Sequence, residues 1–151
     1  MIKNDVLNFI NESPTAFNAI DNLKKELLNN NFIELFETEK FNLKKGNKYF
    51  VTRNDSCLIA FKIGKDVNND YSFKIVASHA DSPCFKIKPN YKNKQDIYNR
   101  INIEPYGGMI VSTWLDRPLS IAGRIIFKQD DKIVSKIINI KKPILMIPNM
   151  C

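Results

Sequence analysis

The run Asn29-Asn30-Asn31 divides the chain into two kinds of pattern, and a fold has to accommodate both. Before it, apolar residues recur at helical spacing. Ile2, Val6, Phe9 and Ile10 form one set, and Phe17, Ile20, Leu23, Leu27 and Leu28 a better-defined second, with Asp21, Lys24, Lys25 and Glu26 largely off that stripe. Between the two sets, Ser13 can cap a new helix and Pro14 suits its first turn. After Asn31 no helical stripe recurs. Short β-type runs replace it, at 32–36, 48–53, 57–63, 73–78, 85–88, 101–104, 109–113, 120–127 and 133–140. Asn54-Asp55 and Gln129-Asp130-Asp131 stand where turns are needed, and 66–70 reads as a polar loop. The second set reads as a core-facing amphipathic helix, and the half after Asn31 reads as β-rich. Phe73-Lys74-Ile75-Val76-Ala77 is the run that most resembles a buried strand, and it leads into Ser78-His79. The polar stretch 88–99, with Pro89, Asn90, Asn93 and Gln95, reads as a junction between an α/β part and a β part.

Composition narrows the classes of partner. With 151 residues, 44% of them hydrophobic and 26% charged, the chain is neither disordered nor fibrous. A domain of this size buries roughly 70% of the surface that its unfolded chain exposes. A net charge of +7, from 23 basic and 16 acidic residues, raises nucleic acid as a partner. The distribution argues against it: Arg53, Arg100, Arg117 and Arg124 are scattered, and the lysines come singly or in pairs, as expected of solvated faces. Cys57, Cys84 and Cys151 are spaced for neither a zinc knuckle nor a two-cysteine redox motif, which suits a reducing compartment. There is no signal-like N-terminus and no apolar run long enough to cross a membrane, so the expectation is a cytoplasmic protein that engages neither membrane nor nucleic acid.

The single histidine, His79, has Asp81 two residues on. Residues two apart in extended backbone point the same way, so the carboxylate can lie beside the imidazole and fix its tautomer, as metal-bound histidines require. By itself the triplet favours an ordinary structural or surface histidine, because one ligand cannot hold a zinc ion that wants three or four. A nucleophilic triad of Ser82 or Cys84 with His79 and Asp81 is weaker still, since such triads draw their members from separate segments. Cys84 reads better as a small buried apolar residue. Asp116 beside Arg117 reads as a structural pair at a turn. Tyr106-Gly107-Gly108 is too short for a phosphate loop and lets the chain turn sharply before the next strand.

Taken together, these segments carry more than they do apart. The stretch from His79-Ala80-Asp81-Ser82-Pro83-Cys84 to Pro89, then Tyr106-Gly107-Gly108, then Ser112-Thr113-Trp114-Leu115-Asp116-Arg117-Pro118 through Arg124, closely resembles the aspartyl aminopeptidase and aminopeptidase I family of zinc metallo-exopeptidases. Ser13-Pro14-Thr15-Ala16-Phe17 and Asn47 through Asn54 extend the likeness over nearly the whole chain. A related deblocking-type family shares His-x-Asp but lacks the Ser-Pro continuation and the Thr-Trp-Leu-Asp-Arg segment.

The resemblance implies part of an α/β catalytic domain over residues 1–89, followed over 90–151 by the start of a β-rich inserted domain used in subunit assembly. It implies His79 as a zinc ligand, Asp81 as the catalytic-site carboxylate that orients it, and Asp116 as structural. Family members use two metal ions, a bridging carboxylate and a glutamate that activates water. Those further ligands belong to sequence beyond Cys151, and the chain corresponds to roughly the first third of a family member. The expectation is therefore the N-terminal portion of a cytoplasmic, homo-oligomeric zinc aminopeptidase acting on peptides, with acidic end residues among its substrates, and inactive as 151 residues. The alternative from a different class is a non-catalytic interaction module that pairs with full-length subunits.

Overall fold

The computed structural model describes residues 2–66, 72–95 and 98–149. Its elements run α1 (Ile2–Glu12), α2 (Ala16–Asn29), β1 (Ile33–Leu35), β2 (Lys48–Arg53), β3 (Cys57–Lys62), β4 (Cys84–Gln95), β5 (Tyr98–Tyr106), a short 3-10 helix (Val111–Trp114), β6 (Ala122–Gln129) and β7 (Lys132–Asn139). They fall into two compact units: Met1–Asp81 with Ala122–Asn139, and Ser82–Ile121 with Ile140–Cys151. The β6–β7 hairpin therefore groups with the N-terminal segment and not with the remainder of 90–151.

In the first unit, α2 is bounded by side-chain chemistry at both ends. Thr15, not Ser13, is its N-cap: the residue is extended, at φ −137° and ψ 164°, and its side-chain oxygen accepts from the Asn18 N–H. Ser13 is used instead by Asn22, whose amide donates to the Ser13 hydroxyl at 3.1 Å and to the Glu12 carbonyl at 2.9 Å, tying α2 to α1. At the other end Asn31 takes the left-handed conformation, φ 61°, and the Phe32 N–H reaches back to the Leu27 carbonyl at 3.0 Å. The asparagine run thus ends the helix because asparagine tolerates that conformation.

The sheet of this unit has the order β1-β2-β3, with β1 parallel and β3 antiparallel to the central β2. Tyr49 and Phe50 are neighbours on β2 and so face opposite sides of the sheet, yet both are buried, at 2% and 0% exposure. With Asn18, Ala19 and Ile20 of α2 they are the buried residues among those described. The Tyr49 hydroxyl accepts the Lys44 N–H at 2.8 Å, which satisfies its polar end. Asn54 and Asp55 turn the β2–β3 hairpin with φ of 53° and 52°, and Asp130-Asp131 turns the β6–β7 hairpin with φ of 47° and 62°. These are the left-handed turns whose twist matches that of paired strands. Arg124 of β6 ties the two hairpins together: its guanidinium lies 4.4 Å from the centre of the Phe17 ring and donates to the Asn54 carbonyl at 2.8 Å. Asp55 stands 3.8 Å from the same guanidinium.

In the second unit, β4 and β5 form an antiparallel ribbon that runs from Cys84↔Tyr106 to Gln95↔Tyr98, with a bulge between Ile87 and Lys92. The 88–99 stretch is therefore largely strand, since polar residues are no obstacle to pairing in an antiparallel ribbon. Phe85 packs edge-on against Trp114 at 5.5 Å. The strand expected at 109–113 is replaced by the 3-10 turn, where the Thr113 hydroxyl donates to the Ile110 carbonyl at 2.7 Å and competes with extended pairing. The 66–70 loop lies mostly outside the described residues, as does Cys151. Cys57 is an exposed free thiol, and Cys84 is half-buried where a buried residue was expected.

The largest departure is at 73–78. The run expected to be the most buried strand belongs to no strand, and Phe73, Ile75 and Val76 are 79%, 82% and 99% exposed. The run has strand chemistry, but no described strand accepts its main-chain hydrogen bonds, and a strand exists only as one side of a ladder. An unpaired apolar segment is a template for association. Val76→Lys is expected to reduce self-association of the chain, read as a shift toward monomer mass in light scattering behind size exclusion. Its stability should change by no more than about 0.5 kcal/mol, because a fully exposed side chain has no packing to lose. Unchanged association would overturn this reading.

Candidate metal-ligand pair

His79 and Asp81 follow the unpaired 73–78 segment and lie in neither helix nor strand. The His79 side chain is 82% exposed. Its Nδ1 stands 2.9 Å from the Asp81 carbonyl oxygen and 3.3 Å from the Asp81 Oδ1, so one residue meets the same ring nitrogen with both main chain and side chain. Both oxygens only accept while Asp81 is ionised. A neutral imidazole in this geometry therefore carries its proton on Nδ1 and keeps the lone pair on Nε2. This is the protonation state in which Nε2 can ligate a metal ion.

The donor set fits one ligand and its orienting carboxylate, and no more. Among the described residues no group of three His, Cys, Asp or Glu side chains converges as a metal site would demand. Asp116 turns the chain with φ 52°, its Oδ1 accepts the Asn149 N–H at 2.8 Å, and its own N–H donates to the Ile147 carbonyl at 2.9 Å. The neighbouring Arg117 donates to the Thr113 carbonyl at 3.1 Å. The pair is structural, as expected, but each member bonds main chain instead of its neighbour. A displaced titration occurs elsewhere, at Glu37: hydrogen bonding from Arg53, reinforced by its charge, holds the carboxyl below the ordinary carboxylate range. Both side chains are well exposed, which marks an ordinary surface pair. No described helix is long and apolar enough to cross a membrane.

The family model of the aminopeptidase I zinc metalloproteases (M18) matches residues 9–151. The chain belongs to this family. Within the M18 family it is 47% identical over 150 residues to the probable M18 family aminopeptidase 2 of Clostridium novyi, a match spanning 97% of this chain and 35% of that protein. It is 40% identical to the aspartyl aminopeptidase of Caenorhabditis elegans, over 97% of this chain and 31% of that one. Among solved structures it resembles the chain of a cryo-EM Ape4–Nbr1 complex, with a TM-score of 0.93, 39% identity, and coverage of 97% and 29%. It also resembles the S. cerevisiae mApe1 dodecamer, with a TM-score of 0.89, 30% identity, and coverage of 99% and 36%. The chain thus spans about a third of the length of the M18 relatives it matches.

No sequence signal within the described residues could have completed the metal site, because no three of their His, Cys, Asp and Glu side chains come together.

Proposed function

We propose that this chain supplies the N-terminal third of a zinc-dependent aminopeptidase, with His79 ligating one metal ion through Nε2 and Asp81 holding the imidazole in position. The observation that carries this reading is the double contact of Asp81 with Nδ1, which leaves Nε2 as the metal-facing nitrogen. Zinc, when bound, polarises the scissile carbonyl and lowers the pKa of the attacking water. The chain's own part is narrower. It presents a neutral imidazole of defined tautomer on a short exposed segment, and the rest of a two-metal site comes from residues outside it. The substrates are peptides, and the aspartyl aminopeptidases among its relatives point to acidic N-terminal residues. The working form is a cytoplasmic homo-oligomer, and the dodecamer among the structures it resembles supports the homo-oligomer.

The test is a chimera joining residues 1–151 to the remaining length of the Clostridium novyi relative. It should release N-terminal residues from peptides in a zinc-dependent manner. His79→Ala should abolish that activity, since losing one ligand from a three-ligand site leaves the metal weakly held. Asp81→Asn should lower activity and metal affinity by about 10–100-fold, the usual cost of losing an orienting partner. An active chimera indifferent to His79→Ala would overturn the assignment.

A further inference from the structure

We infer that the ribbon of β4 and β5 is a docking surface for an acidic polypeptide segment, held through the ammonium groups of Lys86, Lys88 and Lys92. In sequence the lysines come singly or in pairs, but the fold sorts them. The second unit, Ser82–Ile121 with Ile140–Cys151, has eight basic residues against three acidic ones, and so holds five of the chain's net +7 charges. The two units also differ in what their cations meet. In the first, Lys24, Lys25, Arg53, Arg124 and Lys128 each stand beside a carboxylate. In the second, Lys86, Lys88 and Lys92 have no carboxylate partner among the described residues. Glu104 is opposite Lys86 in the ladder, yet the Lys86 Nζ lies 3.4 Å from the centre of the Tyr106 ring instead.

The local backbone keeps these groups within reach of a partner. Between Ile87 and Lys92 the register slips, so residues 88–91 of β4 stand opposite Asn102 alone, and the Asn102 amide donates to the Asn90 carbonyl at 2.9 Å. A bulge interrupts the ladder and re-aims the side chains within it. Every residue from Lys86 to Lys92 is exposed, including Ile87 at 43% and Tyr91 at 48%. Three cations mixed with exposed apolar groups fit an acidic segment that also carries apolar residues. Polypeptide is favoured over nucleic acid on two counts. A two-stranded ribbon leaves the outer main-chain groups of its strands open, and only a polypeptide can pair with them. Tyr106 and Tyr91 hold the Lys86 and Lys92 ammonium groups at 3.4 and 5.7 Å from their ring centres, where a base would otherwise stack. Lysine and proline on an exposed strand also discourage pairing with another sheet, and a surface with that purpose alone would bind no peptide.

The inference stands apart from the metal-ligand role of His79, so it is tested on the metal-free 151-residue chain by fluorescence anisotropy of labelled probes. The probes are a short glutamate-rich peptide carrying a few leucines, the same peptide with glutamine for glutamate, and single-stranded poly(U). The glutamate peptide should bind, with an affinity that falls as salt is raised, and the glutamine peptide should not. Combining Lys86→Glu, Lys88→Glu and Lys92→Glu should weaken binding about tenfold or more, as expected from three exposed charge interactions together. Combining Lys128→Glu, Lys132→Glu and Lys136→Glu on β6 and β7 changes the net charge by the same amount and not this surface, so the affinity should stay within about twofold. Should the ribbon reversal fail to fold, Lys→Gln at the same three positions adds no repulsion and should weaken binding in the same direction. His79→Ala should bind as wild type does, whatever becomes of its metal-ligand role. No binding of the glutamate peptide, equal binding of the glutamine peptide, equal losses in the two sets of lysine variants, or tighter lysine-dependent binding of poly(U) would overturn the inference.

Discussion

Incubated with Zn2+ or Co2+ and an aminoacyl-nitroanilide, the 151-residue chain is expected to release nitroaniline at the rate of buffer alone. Metallopeptidase catalysis needs each ion held by several protein ligands with one position left open. The described residues supply one oriented imidazole, and no three acidic, cysteine or histidine side chains converge around it. A lone neutral imidazole binds Zn2+ weakly, so calorimetry should find no pair of tight sites. Because peptidases of this class exceed the uncatalysed rate by many orders of magnitude, at least about a millionfold for enzymes in general, even trace competence would be visible. Turnover that appears with Zn2+ and disappears with a chelator would refute the expectation.

The largest stability effect should come from Phe50→Ala. Phe50 is fully buried, at 0% exposure, on the central strand of the three-stranded sheet. Deleting a buried phenylalanine ring costs about 3–5 kcal/mol, through lost burial and the cavity left behind. Domains of ordinary stability have only about 5–15 kcal/mol in total, and the few buried side chains among the described residues place this one at the lower end. Phe50→Ala should therefore leave the first unit largely unfolded at 25 °C, seen as loss of the cooperative urea transition followed by circular dichroism. A midpoint within about 1 kcal/mol of wild type would show that the core lies elsewhere. The contrast with Val76→Lys is the informative comparison: both positions are apolar by sequence, yet one change removes a core and the other touches nothing.

Much of the site was legible because it is local. Asp81 meets the His79 ring two residues away, so the contact needs only the backbone between them. The family motifs were legible for the same reason, each being a continuous run. The pairing of Cys84 with Tyr106 across the β4–β5 ribbon was not, because it joins residues far apart in the chain. Arg124 shows the same limit. In sequence it is one scattered arginine, and in the fold its side chain is 15% exposed and braces Phe17 and the Asn54 turn.

The sequence by itself determined α2, the asparagine stop after it, the left-handed hairpin turns at Asn54-Asp55 and Asp130-Asp131, and strands β2, β3, β6 and β7 to within a residue or two. Each rests on interactions among residues close in the chain. Tertiary structure decided which apolar runs are buried. It placed Phe50 in a core and left Phe73, Ile75 and Val76 exposed, although the 73–77 run has the stronger strand chemistry. The reason is that a β-strand, unlike a helix, finds its hydrogen-bond partners outside its own segment, and nothing within a segment reveals whether a partner is there.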